Sequence, residues 1–302
     1  MEKKSKKNGI KAFLYALPGI VWVFITCYCV LWGWVYAFYN YKPGRALSNC
    51  EFAGLKNFTV LFGNPVMRAN LLRVIKNTLG IHMLGYLFSP LPMFFAVFLS
   101  EVKSKKFQKV VQTVSTLPHF ISWVIMFSLC MGLFGNNGAV NQILRMVGSE
   151  ATVNILSSPN HVWLTQTLLS VWKGLGWSAI VYFSAVAGVD QEMYEAAVVD
   201  GAGKMQRIWY ITMPQMIPTF FVLLVMSIGN VLRSGIEQPM VFGNAMNMNS
   251  IENLDLYVYH IGIGSGMISY SIAVGIMTSV ISLALFGLAN FTSKKVRGSS
   301  VF

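Results

Sequence analysis

The sequence predicts an all-α, polytopic membrane protein with six transmembrane helices, and three observations carry that prediction. The 302 residues are 55% hydrophobic and only 11% charged, where soluble domains carry roughly 25% charge. The mean hydropathy is +0.56. The apolar residues also gather in long uncharged blocks joined by short polar links, so the chain is counted in membrane spans rather than soluble domains.

Residues 12–37, 78–99 and 110–134 form the first three blocks. Each is free of Asp, Glu, Lys and Arg and long enough for a hydrocarbon core of about 30 Å. The fourth, residues 162–187, holds one charge, Lys173; the fifth, 216–232, is short; the sixth covers 267–291. All six are expected to be helices, because a lone strand in lipid leaves its backbone groups unpaired. Pro18, Pro90, Pro92 and Pro118 are expected to kink or break their helices. The lysine-rich start followed by an apolar stretch has the outline of a signal peptide. The stretch runs too long, however, and lacks a small-residue cleavage site, so it is expected to remain as the first span.

The formal charge of +12 raises nucleic acid as a partner, but the basic residues cluster beside apolar blocks instead of lining one polar face. Orientation in a bilayer explains them. With both termini in the cytoplasm, fourteen basic residues fall inside and eight outside, the bias that sets membrane topology. Most of the outer ones lie between residues 40 and 76. The part from Pro65 to Leu79 suits either an amphipathic helix on the outer surface or a solvated lead-in to the second span. Residues 1–76 then hold the basic tail, the first helix and an outer segment, and residues 77–302 the transmembrane domain.

Several chemistries find no support. Cys27, Cys29, Cys50 and Cys130 lack metal-type spacing, and His82, His119, His161 and His260 are dispersed. Gly262, Gly264 and Gly266 form only a GxGxG run ahead of a membrane block, which does not make a dinucleotide site. No phosphate-cradling GxxxxGK[ST] occurs. An intramembrane serine protease built on Ser265 and His82 has no motif to bring the two together. An ion-driven secondary transporter predicts repeats or buried acids, and none of the six blocks contains an acid.

The informative segment lies between the fourth and fifth blocks. Residues 188–215 read GVDQEMYEAAVVDGAGKMQRIWYITMPQ and hold four of the eleven acidic residues. A link this long is expected to have its own structure. Residues 192–199 suit a short helix, Gly201 and Gly203 a sharp turn, and 204–213 a second helix that Pro214 ends. Within it, Glu195-Ala196-Ala197, then Gly201, Ile211 and Pro214 stand at the spacing of the EAA signature. This resembles the permeases of binding-protein-dependent ABC importers, with Met213 in place of the family's Leu. Gly54-Leu55-Lys56-Asn57-Phe58, Asn77-Thr78, Tyr194, Asp200-Gly201-Ala202 and the stretch from Glu237-Gln238 to Tyr257-Val258-Tyr259 are similar to the sugar-permease subgroup. Trp172-Lys173 with Gly176-Trp177 and Tyr182 resembles a branch that handles oligosaccharides, including polysaccharide fragments.

The resemblance implies a subunit of the bacterial plasma membrane that is not an enzyme and holds no cofactor, ATP and magnesium being bound by a partner. Its implied partners are a second homologous permease, two copies of a cytoplasmic ATPase and an extracytoplasmic solute-binding protein. Glu195, Ala196, Ala197, Asp200, Gly201, Ile211 and Pro214 would couple to the ATPase. The sugar path would draw on Trp172, Lys173, Trp177 and Tyr182, since aromatic faces stack on sugar rings, and on Arg233 and Glu237. The competing reading of Lys173 is a charge that snorkels or pairs within the bundle. For Arg233 and Glu237, four apart, it is an i,i+4 ion pair.

Overall fold

The computed structural model describes residues 2–149 and 153–297, with side chains for residue 11, 13–149 and 153–295. The lysines of residues 3–7 and Arg297 therefore lie outside the described side chains. Among the described residues the chain is helical, with a single isolated β-bridge between Tyr39 and Phe52. In chain order the α-helices are α1 (Glu2–Val23), α2 (Lys56–Gly63), α3 (Pro65–Phe88), α4 (Leu91–Ser100), α5 (Lys105–Phe120), α6 (Trp123–Phe134) and α7 (Ala139–Met146). They continue as α8 (Val162–Ala187), α9 (Gln191–Val199), α10 (Lys204–Arg207), α11 (Met213–Gly229), α12 (Glu237–Phe242), α13 (Met248–Ile251), α14 (Leu254–Tyr259) and α15 (Ile268–Arg297).

Five helical stretches among the described residues are long and apolar enough to cross a membrane: Phe13–Phe38, Pro65–Ser100, Trp123–Met146, Lys204–Gly229 and Ile268–Lys295. The fourth sequence block is absent from that set, although α8 spans it as an unbroken 26-residue helix. Gln166, Lys173 and two threonines lower its apolar character without shortening it.

The prolines act unequally. Pro18 is carried inside α1 without a break. Pro90 and Pro92 open α4 after α3 has stopped at Phe88. Pro118 sits in the last turn of α5, after which Ile121 turns extended and Ser122 caps α6 by accepting from the amide of Ile125. The third block is thus two helices meeting at residues 121–122. The lead-in to the second span resolves similarly: residues 65–79 run into α3 with no boundary and bury Leu71 and Val74, so they do not form a separate surface helix.

The chain forms two compact units. One comprises residues 1–67 and 258–277. In it Asn57 donates to the carbonyls of Ala37 and Tyr39 (2.8 and 3.2 Å), Phe58 packs on Phe38, and the amide of Tyr41 donates to the hydroxyl of Ser269. Residues 13–38 expose nearly every large apolar side chain they carry, including Trp22 and Trp32, as lipid-facing helices do. The other unit comprises residues 68–257 and 278–302. Its core joins Met93, Ala96 and Val97 of α4 to Ala179 and Tyr182 of α8 and to Ile208, Met213 and Met216. A second cluster joins Met126 and Cys130 of α6 to Val162, Phe242 and Ile251. α5 lies against α8 so closely that a Cβ on Gly176 would collide with the backbone at Ser115, the small-residue contact expected where membrane helices meet.

Candidate functional site: a loop, a cleft and an interior lysine

The 188–215 segment folds as two helical pieces around a glycine turn. Asp190 caps α9, its carboxylate accepting from the amide of Glu192 at 3.0 Å, and the acid of Glu192 suits the helix N-terminus. At the other end the amide of Ala202 donates to the carbonyl of Ala197 and that of Gly201 to Val198. Gly201 has φ +80°. This is a Schellman closure, which needs a left-handed residue where Gly201 stands. Glu195, Ala196 and Asp200 are exposed, and Ala197 is half-buried. Tyr194, half-buried, shares a hydrogen bond with Thr212 (2.8 Å), tying α9 to the second half of the loop.

That second half differs from the sequence expectation. Pro214 does not end a helix. Instead α10 passes through a wide π-type turn, Ile208–Thr212, directly into α11, and Pro214 occupies the first turn of α11. A proline removes one amide donor and crowds the preceding turn, and a π-type turn just ahead accommodates both. Ile211 packs from this turn against the core. The loop is therefore continuous with a membrane helix.

Between α3, α4, α8 and α11 lies a cleft of about 470 Å³. Ser89, Ser170, Trp177, Ser178, Tyr182 and Ser227 give it polar and aromatic lining, and Phe220, Leu223 and Val181 its apolar wall. Tyr86 donates to the carbonyl of Ser227 (3.2 Å). Ser170 donates to Gln238 (2.7 Å), whose amide in turn donates to Gln166 (2.8 Å). Sequence reasoning missed these serines and Gln166, since single small polar residues in apolar runs carry no spacing signal; Gln238 entered it only as part of a resemblance.

The cleft takes in Trp177 and Tyr182, but not Trp172, Lys173, Arg233 or Glu237. Trp172 is exposed. Lys173 donates to the carbonyl of His119 at 2.6 Å and stands 5.4 Å from the centre of the Trp123 ring. His119 stacks flat on Trp177, with ring centres 4.4 Å apart. Lys173 thus fastens the break between α5 and α6, and its cost in the membrane is met by a carbonyl and an aromatic face. Arg233 lies beyond the end of α11 and donates to Ser279 (3.0 Å), whereas Glu237 begins α12. The two do not share a helix, so i,i+4 geometry does not arise.

The family model described as "Binding-protein-dependent transport system inner membrane component" matches residues 88–298. The chain belongs to this family. It is an ABC importer permease, a multi-pass membrane subunit. It is 36% identical to the polygalacturonan/rhamnogalacturonan transport system permease protein YteP of Bacillus subtilis (strain 168), over 96% of this chain and 89% of that protein. It is 35% identical to protein LplB of the same organism, over 96% and 90%. Among solved structures it resembles a chain of a bacterial ABC transporter involved in the import of the acidic polysaccharide alginate. That match has a TM-score of 0.83 at 31% identity and covers 97% of this chain and 98% of that one. The permease resembles as well a chain of the alginate transporter in complex with an alginate pentasaccharide-bound periplasmic protein, with a TM-score of 0.84 at 31% identity and 98% coverage of both chains.

Proposed function

We propose that this permease imports an oligosaccharide of the polysaccharide-fragment class, with a second homologous permease, two copies of a cytoplasmic ATPase and an extracytoplasmic solute-binding protein. The substrate class is supported by the names of the relatives, which carry polygalacturonan, rhamnogalacturonan or alginate. The cleft lined by Trp177, Tyr182 and four serines offers stacking faces and hydroxyls of the kind a sugar chain requires. Six crossings are proposed, α8 being the additional one. At about 1.5 Å per residue its 26 residues exceed the hydrocarbon thickness.

The observation that carries the coupling role is the surface of α9. Val199 is 87% exposed and Val198 55% exposed on a projection otherwise rich in charge. Apolar side chains held out by a rigid Schellman turn suit a partner's groove. Closure of two ATPases on ATP would push on α9, and the unbroken path from α10 into α11 would carry that push into the membrane. Glu195→Lys and Gly201→Asp are expected to abolish ATP-driven uptake and weaken retention of the ATPase while the spans stay folded. Normal uptake by a well-expressed Gly201→Asp protein would remove the coupling assignment.

Cytoplasmic termini are part of the same proposal. A cysteine introduced at Ser157 should then react with an impermeant maleimide added to intact cells, and one at Ala202 only after lysis. The opposite pattern reverses the orientation.

A further inference from the structure

A second cleft, about 410 Å³ in volume, shares no lining residue with the first and opens beside the coupling loop. Glu101, Lys105, Gln108, Gln112, Tyr194 and Arg207 supply its polar walls. They come from the turn after α4, the first half of α5, α9 and α10, so anything seated there touches both the membrane bundle and the loop. Its walls are held in place: Gln108 donates to the carbonyls of Leu99, Ser100 and Val102 (3.1, 2.8 and 2.8 Å), and Tyr194 is tied to Thr212.

The charges in this cleft are unbalanced. Glu101 is its one acidic wall residue, and Lys204 already engages it, with Nζ 2.8 Å from its carbonyl and 3.9 Å from its carboxylate. Lys105 extends from the first turn of α5, where the helix terminus adds positive potential. Arg207 adds a second cation to the same wall, from the loop side. Lys105, Arg207 and Gln112 thus line one space whose one acidic wall residue, Glu101, already has Lys204 beside it, and the balance there is positive. Several acceptor oxygens carrying negative charge would satisfy them together, as a phosphate group does.

We propose that this cleft binds an anionic phosphate group, supplied by the headgroup of an anionic phospholipid or by free phosphate, and that its occupant clamps α5 to the coupling loop. The inference rests on the assignment of residues 188–215 to the cytoplasmic side, where basic pockets between membrane helices meet anionic headgroups. With the cleft filled, α9 and α10 are braced against the bundle and a push on α9 moves α11. With it empty, that brace is missing and the loop keeps its other ties, among them Lys204 to Glu101 and Tyr194 to Thr212.

The test uses the permease purified with its copurifying subunits in mild detergent from membranes containing phosphatidylglycerol. Native mass spectrometry reads retained phosphatidylglycerol, and titration calorimetry reads binding of inorganic phosphate alone, for wild type, Lys105→Gln, Arg207→Gln and the charge-conserving Lys105→Arg. Lipid retained by wild type and Lys105→Arg but reduced roughly tenfold or more in each glutamine variant supports the site with a lipid occupant. Phosphate binding with the same dependence, and no retained lipid, supports it with the free ion as ligand. Lipid retention equal in all four proteins, with no phosphate binding that depends on Lys105 or Arg207, overturns it. Lys105→Arg also controls for folding. Uptake is measured separately, so a failed site with intact ATP-driven uptake counts against this inference alone, and absent uptake counts against the transport reading alone.

Discussion

Lys173→Met separates two roles for the charge in α8 that the sequence left open. The ammonium donates to the carbonyl of His119 at 2.6 Å and faces the Trp123 ring at 5.4 Å. A hydrogen bond from a charged donor contributes about 1.5 to 3 kcal/mol, and a partly desolvated cation over an indole about 1 kcal/mol. Methionine keeps the apolar stem and avoids a cavity, so the loss is confined to those two interactions. Relief from holding an ammonium in the membrane offsets part of it, leaving roughly 2 kcal/mol. A change of that size lowers the melting temperature of a 302-residue chain by roughly 3 °C. Because the lysine is not in the wall of the 470 Å³ cleft, the substrate concentration for half-maximal uptake should stay within about twofold of wild type. Thermal unfolding of the detergent-solubilised complex, monitored by size exclusion after heating, reads the first quantity. Concentration-dependent uptake into proteoliposomes reads the second. An unchanged melting temperature together with a tenfold rise in the half-saturating concentration would refute the structural role and return Lys173 to the sugar path.

Two further substitutions probe the same unit. Arg73 donates to Glu252 at 2.6 Å and to the carbonyl of Asn249 at 3.1 Å, and the carboxylate side chain is only 8% exposed. Arg73→Ala should therefore destabilise by about 2 to 4 kcal/mol, more than an exposed pair would, and a melting temperature equal to wild type in low and high salt would contradict this. Ser178→Phe places a large ring in the 470 Å³ cleft, and uptake should fall at least tenfold while the purified complex retains its subunits; unimpaired uptake would show that the sugar passes elsewhere.

The sequence reported the loop far better than the cleft, and the reason is physical. The EAA segment is local: Asp190, Gly201 and the alternation of helix formers with glycine act within a few residues of one another, so their spacing is visible in the chain itself. Gly201 was identifiable as a turn residue because only a left-handed position needs it there. The cleft brings together α3, α4, α8 and α11, whose lining residues stand up to 142 positions apart, from Gly85 to Ser227, and no spacing rule reaches that far. The same holds for Asn77 and Thr78, whose role appears only when Asn77 donates to the carbonyl of Glu252 and Thr78 accepts from the amide of Leu254. Pro214 misled for a different reason. A proline is a strong helix stop when the turn before it is a regular α-turn, and the π-type turn at Ile208–Thr212 removes that condition.

Lys173 and Pro118 show why two apparent anomalies need joint treatment. Taken alone, a lysine amid the apolar residues of α8 points to function, because an unpaired charge in the membrane is costly. Taken alone, a proline near the middle of the third apolar block points to a weak span, because it breaks the helix and strips carbonyls of their intrahelical donors. The structure joins the two through the end of α5, where the last carbonyls lack intrahelical donors, rather than through the proline's own missing bond, which falls on Val114. α5 ends at Phe120, two residues past Pro118, and the carbonyl of His119 receives the ammonium of Lys173. Gly176, three residues along α8, lets the backbone of Ser115 approach closely enough for that bond to form. A costly donor and an orphaned acceptor cancel, and what remains is a fixed crossing of two helices with the Trp177 ring, stacked on His119, presented to the cleft. On the proposed sugar path this geometry gives Lys173 a positioning role through the Trp177 ring, the role that the Lys173→Met measurement tests.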